Sequence, residues 1–227
     1  MPLRRAIALL MPLLVGAVGG CEAQPDPATQ ANANEQQVAD TSVARALLAE
    51  LDPGIRQEIR YSTTNNFTGE PLPGYGRGIA LLRREAAEAL ARVHARLAEQ
   101  GLGLKVWDGY RPVRATLAMV DWTERVGRTD LLDDGYIARR SRHNQGVAVD
   151  LTAVDLATGA ELDMGTPYDS FAEEAHTAQA SGQVAVNRQL LVAAMAAEGF
   201  TNYVNEWWHF SFEVADPVPF DLPLTEW

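Results

Sequence analysis

The sequence predicts a single α+β domain. Three observations lead there. Helical periodicities and strand-like apolar runs both occur; they do not alternate in a regular βαβ rhythm; and a chain of 227 residues, 47% apolar and 22% charged, suits one hydrophobic core.

The elements follow in order. Val43 to Glu50 predicts a short helix, stopped by Pro53 and Gly54. Ile55 to Tyr61 predicts a strand, and Thr63 to Gly78, rich in Asn, Gly and Pro, a loop. Ala86, Ala89, Leu90, Val93 and Leu97 recur at helical spacing, which predicts a helix from about Leu82 to Gln100, ended by Gly101 and Gly103. Leu104 to Trp107 reads as a short strand running into the turn Asp108-Gly109-Tyr110. Pro112 then suits the first turn of a helix over Val113 to Val126, closed by Gly127. Residues 128–140 are polar, with a weak helix around Asp130. Val147 to Thr152 is the strongest strand, and Asp155 to Asp163 a hairpin with Thr158-Gly159 at its tip. Asn187 to Glu198 predicts a helix stopped by Gly199. Phe200 to Phe212 is β-rich, and Pro217, Pro219 and Pro223 make the tail irregular.

The N-terminus is expected to lie outside this domain. Arg4 and Arg5 precede an apolar run, Ala6 to Val18, that is short for a bilayer span. It ends in Val18-Gly19-Gly20-Cys21, which looks like a lipoprotein cleavage site, with Cys21 as the acylated residue. An ordinary secretory signal is the alternative. Residues 21–42 carry acids but no base and no apolar face, the composition of a flexible tether. The expected organisation is a signal segment at 1–20, a tether at 21–42 and a catalytic domain at 43–227. The expected location is outside the cytoplasm, on a membrane through a lipid anchor. A net charge of −11, with no basic stripe, argues against nucleic acid as a partner.

Two distant segments carry the chemistry. One is Ser141-Arg142-His143-Asn144-Gln145-Gly146-Val147-Ala148-Val149-Asp150; the other is Glu206-Trp207-Trp208-His209. Together they offer two imidazoles, a carboxylate and a spare carboxylate, the donor set of a catalytic zinc site with one open position and a proton acceptor beside it. His143 and Asp150 would point to opposite faces of a continuous strand, so Gly146 is read as a bend between a loop histidine and a strand aspartate. Glu206 and His209 would share a face on a helix; in an extended chain they need a turn or bulge at the tryptophan pair. Taken alone, His143 is more often a structural histidine, and Glu206 can equally be a surface acid before an aromatic strand. Arg111 can stabilise an oxyanion from its strand-to-helix junction or simply be a surface cation. His94 lies on a predicted helix and His176 reads as solvated.

The combined pattern resembles the zinc D-alanyl-D-alanine dipeptidases, the enzymes encoded in vancomycin-resistance clusters. Tyr61 to Gly69, Trp107 to Pro112 and Met164 to Asp169 also match family segments in order, so the likeness spans about residues 43–222. The resemblance implies one zinc ion on His143, Asp150 and His209, with Glu206 as general base and acid and Arg111 stabilising the tetrahedral intermediate. It implies Ser141 near the substrate carboxylate, and Tyr61 and Asp169 at its ammonium. The implied architecture is a small, largely antiparallel central sheet flanked by helices, with the zinc site in a cleft. The implied substrate is free D-Ala-D-Ala, in a pocket too closed for longer chains. The resistance enzymes are cytoplasmic, whereas this chain carries an export signal, which points to cell-wall peptide turnover. A D,D-carboxypeptidase or endopeptidase acting on stem peptides, and a non-catalytic wall-binding lipoprotein, are the competing readings. The oligomeric state stays open.

Overall fold

The computed structural model describes residues 42–215 and 217–227. The expected signal segment, Cys21 and nearly all of the tether lie outside the described residues. Among the described residues, no helix is long and apolar enough to cross a membrane.

The strands are β1 (Leu48–Glu50), β2 (Arg56–Gln57), β3 (Leu81–Arg83), β4 (Leu102–Asp108), β5 (Ala148–Asp155), β6 (Phe200–Asn202) and β7 (His209–Phe212). The helices are α1 (Arg84–Ala98), α2 (Val113–Val126), the single turn α3 (Asp130–Asp133) and α4 (Gly182–Ala196). The main sheet runs β2-β4-β5-β7-β6, and β1 pairs with β3 in a separate ribbon. Only the short β2–β4 pairing is parallel; the other pairings among the described residues are antiparallel. The expected α+β architecture is therefore the observed one.

β5 is central, and every residue from Ala148 to Val154 is buried. A strand covered on both faces must satisfy any polar side chain it carries, which makes Asp150 conspicuous. α1 buries Ala86, Ala89, Leu90, Val93 and Leu97, the stripe its spacing predicts. α2 spans the predicted residues and ends at Gly127, whose φ of 71° closes the last turn.

Five expectations need correction. Only residues 42–47 of the expected first helix are helical; Leu48–Glu50 is strand, because β3 offers an antiparallel partner that local spacing cannot reveal. That same ribbon delays α1 to Arg84. The strand expected over Ile55 to Tyr61 shrinks to Arg56–Gln57 and passes into a 3-10 turn, Arg60–Ser62, that buries Tyr61. The last helix starts at Gly182 rather than Asn187, since its first turn lacks an apolar stripe to announce it. Finally, His176 is half-buried and its Nε2 sits 2.9 Å from Tyr136 Oη, so it is not a solvated histidine.

Candidate metal centre

The centre is assembled from a turn and two paired strands. Ser141 accepts a hydrogen bond from the His143 amide, and the Asn144 side chain accepts from the Ser141 amide. This reciprocal cap winds Arg142–Gln145 into a 3-10 turn. Gly146 closes it at φ 68°; a Cβ there would stand 2.5 Å from Leu48 Cδ2. The chain then enters β5, where Asp150 is directly opposite His209 of β7. Opposed residues on antiparallel strands share a face. Trp207 and Trp208 lie in a turn, in which the His209 amide bonds to the Glu206 carbonyl at 3.3 Å. The turn that the Glu206–His209 spacing requires is therefore present.

Three donor atoms converge. His143 Nε2 lies 3.1 Å from His209 Nδ1 and 3.3 Å from Asp150 Oδ1, and His209 Nδ1 lies 3.0 Å from Asp150 Oδ1. Tetrahedral bonds of ~2.0–2.1 Å would set neighbouring donors about 3.3 Å apart, so the triangle has the size a small dication requires. His143 Nδ1 is 2.7 Å from the Gly109 carbonyl, which accepts its proton and leaves Nε2 with a lone pair. Burial holds the His209 imidazole below the usual histidine range, which favours the uncharged form a metal would need. Burial pushes the Asp150 carboxyl up, but the charges and hydrogen bonds of His143 and His209 outweigh it and keep Asp150 ionised. With both facing nitrogens free of protons, two lone pairs and a carboxylate turned on one point would repel one another unless a cation joined them. Among the described residues, no other trio of His, Cys, Asp or Glu converges in this way.

The other expected residues surround this point. Glu206 Oε2 is 3.9 Å from His209 Nδ1, and Glu206 is 8% exposed. Burial, then the charges of Asp150 and Asp169, push its carboxyl well above the ordinary range. Arg111 Nη2 is 3.8 Å from Asp150 Oδ2, and its guanidinium lies over the Tyr61 ring. Tyr61 donates to Asp169 at 3.0 Å; burial first, and then the Asp169 charge, keep that phenol protonated. Burial and the Asp150 charge raise the Asp169 carboxyl to about 8. One cavity of about 580 Å³ reaches all of these side chains, Ser141 included.

Several contributors carry no sequence signal of their own. Asp108 is fully buried and accepts from Arg111 Nε at 3.0 Å and Nη2 at 2.7 Å, while Tyr75 donates to its other oxygen. Tyr168 donates to Asp150 Oδ2 at 3.0 Å, fixing the oxygen turned away from the imidazoles. Arg188, buried on α4, donates to the carbonyls of Met164, Glu174 and His176 and so pins the loop that delivers Tyr168 and Asp169. The available hint for Asp108 was an acid closing an apolar strand three residues before an arginine.

A family model described as D-ala-D-ala dipeptidase matches residues 41–220. The chain belongs to that family. The expected enzyme class, a metallo-dipeptidase, is the class of this family. A D-alanyl-D-alanine dipeptidase of Streptomyces coelicolor is 36% identical over 79% of this chain and 97% of its own length. One of Enterococcus faecium is 36% identical over 78% of this chain and 96% of its own. Among solved structures, the vancomycin resistance D,D-dipeptidase VanXYg, in complex with a D-Ala-D-Ala phosphinate analogue, covers 62% of this chain and 54% of its own at 18% identity and a TM-score of 0.39. At that distance the likeness adds nothing to the family assignment.

Proposed function

We propose that the chain is a zinc dipeptidase that hydrolyses D-Ala-D-Ala, with His143, Asp150 and His209 as metal ligands. One observation carries this reading: a buried spare carboxylate, Glu206, stands at the edge of the three-donor triangle, in the same cavity as Arg111 and Asp169. Nitrogen and oxygen donors in a small triangle suit zinc. When bound, zinc supplies the charge that polarises the scissile carbonyl and makes a water acidic near neutral pH.

The remaining steps belong to side chains. Glu206 accepts the proton of the attacking water as its oxygen bonds to the carbonyl carbon, then delivers that proton to the departing amine as the C–N bond breaks. Glu206, at the edge of the triangle, would have the push that burial gives its carboxyl countered by a dication held on His143, Asp150 and His209, and so would serve as a base. Arg111 donates to the carbonyl oxygen as negative charge develops there. Its Nη1 faces only the Met119 sulfur, at 3.3 Å, and a thioether is a weak acceptor, so that donor capacity is in reserve. Asp169, steadied by Tyr61, receives the substrate ammonium, and Ser141 stands near its carboxylate.

The test is metal analysis of the purified protein together with D-alanine release from D-Ala-D-Ala, with and without chelator. Stoichiometric zinc and chelator-sensitive release are expected; release that persists in a demetallated protein would refute the reading. One observation favours a second reading, a carboxypeptidase or endopeptidase acting on stem peptides: a cavity of about 580 Å³ is in the range of sites for much larger ligands than two alanines. D-alanine release from a pentapeptide stem but not from the dipeptide would select it. We also propose export and anchoring through Cys21, supported by the Arg4-Arg5 and Val18-Gly19-Gly20-Cys21 pattern, with a role in cell-wall peptide turnover. Fatty-acid labelling that survives Cys21→Ser would overturn the anchor.

A further inference from the structure

The cavity is electrically lopsided. Asp150, Asp169 and Glu206 all line it, and Arg111 lies 3.8 Å from Asp150. Arg111 is held by Asp108, which accepts two of its hydrogen bonds, and its remaining donor is assigned above to the scissile carbonyl oxygen. A zwitterionic dipeptide entering this cavity meets acids suited to its ammonium, and its carboxylate needs a cation of its own.

Two further arginines line the wall beside Ser141. Arg142 is tethered: its Nη2 donates to Glu213 at 2.8 Å and to the Phe212 carbonyl at 3.0 Å. Arg140 is different. It is exposed, lines the same cavity, and has no acidic partner among the described residues. Its neighbour Arg139 points elsewhere, toward Glu124 at 3.8 Å, and does not line the cavity. Ser141, in extended conformation, separates Arg140 from the turn that carries His143, and Arg140 and Ser141 both line the cavity, the arginine on a long flexible stem.

We propose that Arg140 is a specificity-determining residue that binds the C-terminal carboxylate of the substrate, beside Ser141, and so fixes the direction in which a dipeptide enters. This rests on the dipeptidase reading above. A guanidinium–carboxylate contact favours the free acid over the C-terminal amide, because only the acid presents the two anionic oxygens the fork can grip.

The experiment compares D-Ala-D-Ala with D-Ala-D-Ala amide, measuring KM and kcat separately for wild type, Arg140→Ala, Arg140→Lys and Arg139→Ala. In Arg140→Ala, KM for the acid is expected to rise about tenfold. The kcat should stay within about twofold and KM for the amide should not move, so the preference for the acid collapses. Arg140→Lys should recover part of the loss, and Arg139→Ala should match wild type. Equal shifts for acid and amide, or no shift in Arg140→Ala, would overturn the proposal while leaving the dipeptidase reading intact. Absence of dipeptide turnover in the wild type would overturn that reading and this inference with it. Arg140 is on the surface, so melting temperatures of all four proteins should coincide, and a variant that departs from the others is replaced by Arg140→Gln.

Discussion

The Asp108 carboxylate grips the Arg111 guanidinium with one oxygen, Oδ2, which accepts from both Nε and Nη2. The same oxygen lies 3.4 Å from His143 Nδ1. Asp108 thus fixes the position of Arg111, the proposed oxyanion donor, and borders His143, one of the proposed metal ligands. Burial alone would make the guanidinium easier to deprotonate, but the negative charge of Asp108 more than reverses this.

Asp108→Asn keeps the shape and removes the charge that balances Arg111. Breaking a buried pair from one side costs about 3–5 kcal/mol, so a clear fall in melting temperature is expected. Loss of oxyanion stabilisation is expected to lower kcat by about 10²-fold. Calorimetry and initial rates check the two effects. A variant with wild-type kcat would show that Arg111 does not need Asp108 to act.

Glu206→Gln tests the proton carrier. The amide occupies the same volume and cannot accept the water's proton, so turnover is expected to drop by about 10²–10⁴-fold. Zinc content and melting temperature should stay near wild type, because the three converging donors come from other residues. Near-normal turnover would remove Glu206 from the proposed reaction.

Asp169 links the site to pH. In the folded chain it keeps its proton to about 8, against about 4 in an unfolded chain. Between those values the folded state binds more protons than the unfolded one, so a rise in pH across this window costs stability. Asp169→Asn lacks that penalty. Its melting temperature relative to wild type, measured in chelator, is expected to climb from pH 4 to pH 8 and level off above. A constant difference across the window would contradict the raised proton affinity.

Gly146→Ala tests the bend. The residue must hold φ 68°, and a methyl group there would collide with Leu48. Left-handed strain in a non-glycine residue costs about 1–3 kcal/mol, and the clash adds to it. Reduced thermal stability and weaker metal retention are expected together, since the bend delivers His143. Competition with a chromogenic chelator measures the second.

Much of this site was legible in the chain, for a physical reason. The turn carrying His143 and the turn carrying Glu206 are built by short-range contacts, so each leaves a compact pattern in consecutive residues. α2 was equally plain, because Pro112 and Gly127 mark its ends locally. What stayed hidden depends on partners distant in sequence. Leu48–Glu50 becomes strand only because Leu81–Arg83 lies beside it. Asp108 and Tyr168 lie in segments that the family resemblance marks, but the partners of these two residues and of Arg188 come from contacts that only the folded chain creates.

Asp150 and His209 face each other across the β5–β7 pairing, and His209 opens β7, the last strand along the chain. A nascent polypeptide that has not yet laid down β7 holds two of the three converging donors, His143 and Asp150, and lacks the third. The three-donor triangle is therefore complete only when the closing strand seats in the correct register.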